Sequence, residues 1–174
     1  QKNDLIIKKD NKFYNIIGNS FNANKLITDL LKSKKAKRQN FFNQNFDVKI
    51  DIKLVNLDRN NIINNLKGSI SLRDNMINDL NLISEFSNKQ KITFTLKKNN
   101  SEKITTLFSN QAKPLVDRYK FVKGFSEGKL DFYSVKKNNE SRSTLKIYDF
   151  KLKELPALTK VLTLASLQGI ADLL

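Results

Sequence analysis

The sequence predicts a mainly β domain of the α+β class. Expected is a curled antiparallel meander with one apolar concave face, two or three helices, and a C-terminal helix capping the sheet. Three observations carry this. Apolar residues alternate with charged ones at a period of two, most clearly where Phe46, Val48, Ile50, Ile52 and Leu54 interleave with Asp47, Lys49, Asp51 and Lys53. Short polar breaks separate such runs at hairpin spacing: "RDN" at 73–75, "SNKQ" at 87–90, "KKNNSE" at 97–102 and "KKNNES" at 136–141. Only a few stretches carry apolar residues at helical spacing instead.

Taken in order, the elements divide the chain into 1–32, a hairpin and short helix; 33–45, a basic loop; 46–110, a meander; 111–155, a helix and hairpin; and 156–174, an apolar helix. The first hairpin pairs "LIIKK" (5–9) with "FYNIIG" (13–18) across a turn at Asp10–Asn11. Asn22 or Asn24 is placed to cap a helix carrying Leu26, Ile27, Leu30 and Leu31. "KSKKAKRQN" (32–40) is basic and poor in apolar residues, and reads first as a solvated linker. Past Phe46–Leu54 the alternation recurs in Leu66, Ile70 and Leu72, more briefly in Leu80 and Leu82, and again in Ile92, Phe94 and Leu96. A short helix is expected in 109–125, where Leu115, Val116, Tyr119 and Val122 fall at helical spacing and Pro114 suits the first turn. Leu130 with Phe132, and Leu145 with Ile147, lead two further strands. Pro156 then opens a helix about 28 Å long. Leu158, Leu162, Leu164, Leu167, Ile170 and Leu174 supply its apolar surface, and Thr159, Thr163 and Ser166 a narrow polar stripe. Such a helix is buried on both sides or lies against lipid, yet its polar interruptions argue against a simple membrane span. The chain starts at Gln1 and closes in this apolar segment, and reads as a piece of a longer protein.

The net charge is +15 over 174 residues, and nearly all of it is lysine. Arg38, Arg59, Arg73, Arg118 and Arg142 are the only arginines. Together with the abundance of Asn, Ile and Phe, this has the look of an AT-rich genome's amino-acid usage. Nucleic-acid readers favour arginine forks, so no nucleic-acid partner is expected. Attraction to anionic surfaces, acidic lipid headgroups included, follows from the charge itself. The absence of Cys and His removes disulfides, thiolate metal sites and the usual Ser–His or Cys–His nucleophiles. No carboxylate pair, glycine-rich phosphate loop or metal-ligand spacing stands out, so no catalytic residue, metal or cofactor is expected, and the chain is read as non-enzymatic.

The segment from about Gln111 onward adds a resemblance. "LVDRYKFVKGFSEGKLDFYSV" and "STLKIYDFKLKELPALTKVLTLASLQGIADLL" are similar to the C-terminal region of the AsmA-like bacterial envelope proteins, most closely the large YhdP-type branch. The shared features are a strand ending in an aspartate and an aromatic, here Asp149–Phe150, a proline-led helix, and the "LASLQGIADLL" run from Leu164 to Leu174. Before residue 110 the likeness rests on strand pattern and on "GNSFNANKLITDLL". The chain departs from many relatives in being rich in Lys and Asn. What the resemblance implies is an inner-membrane-anchored protein reaching into the periplasm. A long curled sheet would offer phospholipid acyl chains a hydrophobic groove towards the outer membrane. Implied partners are phospholipid, the membrane through other parts of the parent protein, and further strands of that protein.

A one-sided sheet must cover its apolar face with helices, a second sheet or a ligand. Phe46, Val48, Ile50, Ile52, Leu54, Ile70, Leu72, Ile92, Phe94, Leu96, Leu130, Phe132, Leu145 and Ile147 are the candidate lining of a lipid groove. The same residues would equally make an ordinary core. Two functional readings stay open: a segment that binds or conducts lipid, and a structural envelope module with a closed core that holds partner proteins.

Overall fold

The computed structural model describes residues 2–11, 13–32, 45–74, 76–119, 124–138 and 140–152. They form one sheet of nine strands whose spatial order is the order of the chain. The strands are β1 (Asp4–Asp10), β2 (Phe13–Asn22), β3 (Phe46–Asn56), β4 (Ile62–Arg73), β5 (Met76–Phe86), β6 (Lys91–Asn99), β7 (Glu102–Ser109), β8 (Phe125–Lys137) and β9 (Glu140–Leu152). Two helices are present among these residues, α1 (Asn24–Lys32) and α2 (Lys113–Tyr119). Among the described residues the sheet is open: β1 and β9 pair on one side only.

The polar breaks predict the hairpin turns because their residues tolerate left-handed backbone. Asn11, Asp74, Lys89, Asn100 and Asn138 all have φ between 48° and 62°, and Asn and Asp accept that region more readily than most residues. The β3–β4 turn is held differently. The Asp58 carboxylate accepts hydrogen bonds from the backbone amides of Asn60 (2.8 Å) and Asn61 (2.9 Å).

One expectation is corrected. The sheet is mixed, because β2 and β3 run parallel, from Phe13 opposite Asp47 to Asn22 opposite Asn56. Parallel neighbours need a crossover rather than a tight turn. The chain leaves β2 at Asn22, enters α1, and re-enters the sheet at Phe46, beside the start of β2. The remaining pairs are antiparallel. A strand also lies where the sequence does not alternate in step with its neighbours, β7, between "KKNNSE" and α2. β5 extends well beyond the Leu80–Leu82 pair that signals it.

The start of α1 follows its sequence. The Asn22 side chain accepts the Asn24 amide at 3.1 Å, and the Ala23 carbonyl takes the first helical bond, from Ile27. Ile27 packs inward, whereas Leu26, expected on the same apolar face, is 53% exposed. Pro114 sits in the first turn of α2. The C-terminal helix expected over 156–174, Val122, and all but the last residue of the basic stretch 33–45 lie outside the described residues.

Among the described residues, apolar packing is divided. One cluster joins Ala112, Leu115 and Val116 of the α2 region to Phe125, Leu130, Phe132, Leu145 and Ile147 of β8 and β9. The other joins Ala23 and Ile27 to Ile52, Val55, Ile63 and Phe86. Burying one such Leu, Ile or Phe side chain is worth about 1.5–3 kcal/mol, so each cluster anchors its own flank of the sheet.

Candidate functional site

Cross-strand register brings apolar residues from all nine strands into line on one face. A single row runs Ile7, Ile16, Ile50, Gly68, Leu82, Phe94, Leu107, Phe132 and Leu145. Beside it runs Tyr14, Val48, Ile70, Leu80, Leu96, Thr105, Ser134 and Ser143. On its other side Ile92, Ser109, Leu130 and Ile147 align, and Gly18, Ile52 and Leu66 align across β2 to β4. Phe46 pairs with Leu72, and Leu54 lies two residues beyond Ile52 on the same side of β3. All fourteen candidate lining residues therefore share this face. With strands about 4.8 Å apart, nine strands give the row a span of roughly 38 Å.

Coverage of the face is uneven. Val48, Ile52, Leu96, Leu130 and Phe132 are buried, whereas Phe46, Ile50, Leu54, Ile70, Leu72, Ile92, Phe94, Leu145 and Ile147 are half-buried. Helices α1 and α2 close in at the end of the sheet where β3 leads into β4. Arg118 of α2 ties them together there. Its guanidinium donates to the Leu57 carbonyl (2.7 Å), the Asn24 carbonyl (3.2 Å), Asn24 Oδ1 (3.2 Å) and Thr28 Oγ1 (2.9 Å). Asp58 lies 4.0 Å from it, and the Arg118 side chain is 14% exposed. A planar fork with five donors suits such divergent acceptors, and a single ammonium does not.

The opposite end of the face is polar. Lys98 pairs with Lys103, and Lys103 with Lys136, on three neighbouring strands. All three are half-buried. Burial pushes the Lys103 ammonium down to about 8, and the charges of Lys136 and Lys98 act in the same direction. Hydroxyls fill the adjoining positions: Thr105 and Ser134 are buried, and Ser143 donates to Ser134 Oγ at 2.8 Å.

The reverse face is charged and cross-paired. Arg73 lies 2.9 Å from Asp47, Lys67 3.7 Å from Asp51, and Lys137 3.3 Å from Glu102. The Arg73 guanidinium, helped by the Ser71 hydroxyl at 2.6 Å, holds the Asp47 carboxyl below the usual carboxylate range. Asp117 meets Lys113, and Asp131 accepts from the Tyr148 hydroxyl. A shallow depression on this reverse face is lined by Asn15, Ile17, Lys49, Asp51 and Ser69 around Gly68. Its lining mixes charges of both signs and has none of the continuity of the apolar row.

Among the described residues, no group of three or more Asp or Glu side chains is placed to hold a metal ion. No helix among them is long and apolar enough to cross a membrane. Comparison with protein-family models, curated proteins and solved structures found no match.

The lysine row escaped the sequence reading for a local reason. On β7 the inward residues are Lys103, Thr105, Leu107 and Ser109, while Ile104 and Phe108 point to the reverse face. The strand's hydrophobic pattern thus runs against its neighbours'. The signal available was the match of "KKNN" at 97–100 and at 136–139, two lysine-bearing hairpin ends that flank β7.

Proposed function

We propose that the chain is a non-enzymatic, lipid-binding segment of an AsmA-like envelope protein, its apolar face serving as a track for phospholipid acyl chains. The observation that carries this reading is the unbroken apolar row across an open nine-stranded sheet. An ordinary core would gather such residues into one mass. Among the described residues the apolar packing divides into two flanking clusters, with Leu82 and Phe94 of the middle strands only half-buried. Each methylene that moves from water onto the row gains about 0.8 kcal/mol. An acyl chain spans about half of the roughly 30 Å hydrocarbon thickness of a bilayer, so the row exceeds the length of one chain. Side chains repeated at strand spacing, with no polar stop between Leu82 and Leu145, suit sliding rather than lodging. In this reading the segment sits in the periplasm as part of an inner-membrane-anchored protein, moves phospholipid between the membranes, and so supports outer-membrane integrity.

Purification of the chain from bacterial cells, followed by mass spectrometry of bound lipid, tests the proposal. Stoichiometric phospholipid is expected, together with lipid exchange between liposomes. Protein that is consistently lipid-free and inactive in exchange would overturn it. The alternative, a scaffolding module with a closed core, draws on the burial of Val48, Leu80 and Leu96 at 7%, 4% and 1% exposure. It expects no exchange, and loss of a protein partner when the surface is altered.

A further inference from the structure

We propose that the reverse face of β4–β9 carries a binding strip for an uncharged, extended oligosaccharide, held by the rings of Phe108 and Tyr133. The strip lies on the opposite side of the sheet from the acyl track and does not depend on that reading.

Elsewhere the reverse face is ruled by charge paired across strands. Asp51 stands opposite Lys67, Asp79 opposite Lys97, Glu85 opposite Lys91, and Asp131 opposite Lys146. Between these pairs the charge stops. One row runs Ser69, Asn81, Thr95, Thr106, Tyr133 and Thr144 from β4 to β9. A second row beside it runs Ile83, Thr93 and Phe108 from β5 to β7. On β5 and β6 the strip is bounded on both sides, by Asp79–Lys97 and by Glu85–Lys91. From β4 to β9, at about 4.8 Å per strand, the longer row covers roughly 24 Å. In a chain of net charge +15, a strip with no charge in it is complementary to an uncharged ligand. Nucleic acid or an acidic lipid surface would call for cations there.

Three large apolar side chains stand out of the strip: Ile83 is 48% exposed, Phe108 40% and Tyr133 48%. Such residues scattered singly are ordinary, but these are gathered on β5, β7 and β8 within the two rows. Phe108 and Tyr133 are diagonal neighbours, since Phe108 pairs with Asp131 and Tyr133 with Thr106. Positions so related lie about 7–8 Å apart. Hydrogen-bonding groups surround the rings. Asn81 and Thr144 are exposed, and Thr93, Thr95 and Thr106 are half-buried. The Thr95 and Thr106 hydroxyls share one hydrogen bond at 2.6 Å, which leaves the pair a second hydroxyl hydrogen and further lone pairs.

A pyranose ring matches both halves of this surface. Its C–H face packs on an aromatic ring, and its rim hydroxyls exchange hydrogen bonds with Asn, Thr and Tyr. A protein partner would want a contiguous apolar centre, which the threonines interrupt. Linkage matters as well. Equatorial linkage keeps successive rings extended, as a row crossing the strands requires, whereas axial linkage coils the chain away from it.

The test uses the 174-residue chain with cellohexaose and chitohexaose, both equatorially linked, and with maltohexaose, which is axially linked. Binding is followed by calorimetry and by amide chemical shifts. The expected result is that an equatorially linked hexamer binds, moving the amides of Thr93, Thr95, Thr106, Phe108 and Tyr133, and that maltohexaose binds at least tenfold more weakly. Phe108→Ser with Tyr133→Ser should lose at least tenfold in affinity. A control, Phe13→Ser with Ile17→Ser, removes exposed apolar groups elsewhere on the same face and should bind as the parent does. Should the double variant lose its fold, Tyr133→Ser alone is compared with Tyr133→Trp, which keeps a ring and should keep binding. Silence towards both equatorially linked hexamers would overturn the proposal and leave the strip to a protein partner. Equal binding of all three glycans would overturn the extended-chain assignment. An equal loss in the control would reduce the effect to general surface apolarity, and Tyr133→Trp as weak as Tyr133→Ser would remove the ring from the argument.

Discussion

At Gly68 the backbone φ is +154°, and a Cβ there would lie 1.8 Å from the Asn81 carbonyl oxygen on β5. The clash is with backbone, which has no rotamer by which to retreat. Gly68→Ala is therefore expected to cost about 3 kcal/mol, read as a lowered denaturation midpoint in urea. Lys103 carries a different prediction. Its conjugate acid falls to about 8 in the folded chain, against 10.5 for the ordinary side chain. Below pH 8 both the folded and unfolded chains hold this proton, and the folded chain bears the cost of a crowded, half-buried charge. Between about pH 8 and 10.5 the unfolded chain binds more protons at this residue than the folded one, so stability rises with pH. Above 10.5 the gain levels off. Denaturation profiles of the parent chain and Lys103→Met should converge in slope below pH 8, with the rise between 8 and 10.5 confined to the parent. Parallel profiles across that range would contradict the assignment. Asp47 works the other way: its lowered carboxyl contributes stability above the ordinary carboxylate range that is lost as the pH falls through its folded value.

Helices α1 and α2 are short, and α2 at seven residues is well below the length at which an isolated helix persists in water. Their order depends on what they touch, and Arg118 is the shared contact. Arg118→Met keeps the aliphatic bulk but strands the Leu57 and Asn24 carbonyls. A loss of about 2–3 kcal/mol is expected, with faster amide exchange in α1 and α2 and little change in β5 and β6. Arg118→Lys is expected to recover less than half of it, since one ammonium cannot reach every acceptor. Equal protection of both helices in all three proteins would show that the clasp is incidental. The elements also differ in how openly the sequence declares them. β3 is legible because Asp47, Lys49, Asp51 and Lys53 all face away from its apolar side. β7 is not, because Lys103 and Thr105 occupy inward positions where alternation expects hydrocarbon. The fourteen apolar residues on one face follow from period two alone. The lysine row depends on the register of three strands, which no single strand's pattern encodes. The parallel pairing of β2 with β3 was hidden for a similar reason: alternation identifies a strand and its faces but not the direction of its neighbour.

At the scale of the whole sheet, the nine strands of the described residues leave β1 and β9 as outer strands to be managed. β1 presents Ile6 and Ile7 at 57% and 65% exposure, next to Lys8, Lys9 and Asp10. Charge on an edge strand deters pairing with another chain. Replacing Lys8 and Lys9 with Val is expected to leave the monomer's circular dichroism unchanged and to produce concentration-dependent assemblies by light scattering. Continued monodispersity at high concentration would show that the edge is protected by something other than these lysines.

The crossover between β2 and β3 has a kinetic consequence. From β3 onward every strand meets its successor through a hairpin or, between β7 and β8, a short helical excursion, so pairing can propagate along the chain without distant searches. The seam between β2 and β3 is different, because Phe13 must find Asp47. Closing a loop of that length costs about 2 kcal/mol more than closing a tight turn, and contacts of high sequence separation slow folding. The molecule is thus expected to assemble β3–β9 as one cooperative block, with the β1–β2 hairpin docking last and parting first. A ribosome releasing the chain would meet the reverse problem: the hairpin emerges early and must wait, with its apolar side uncovered, until the strand it docks against has been made.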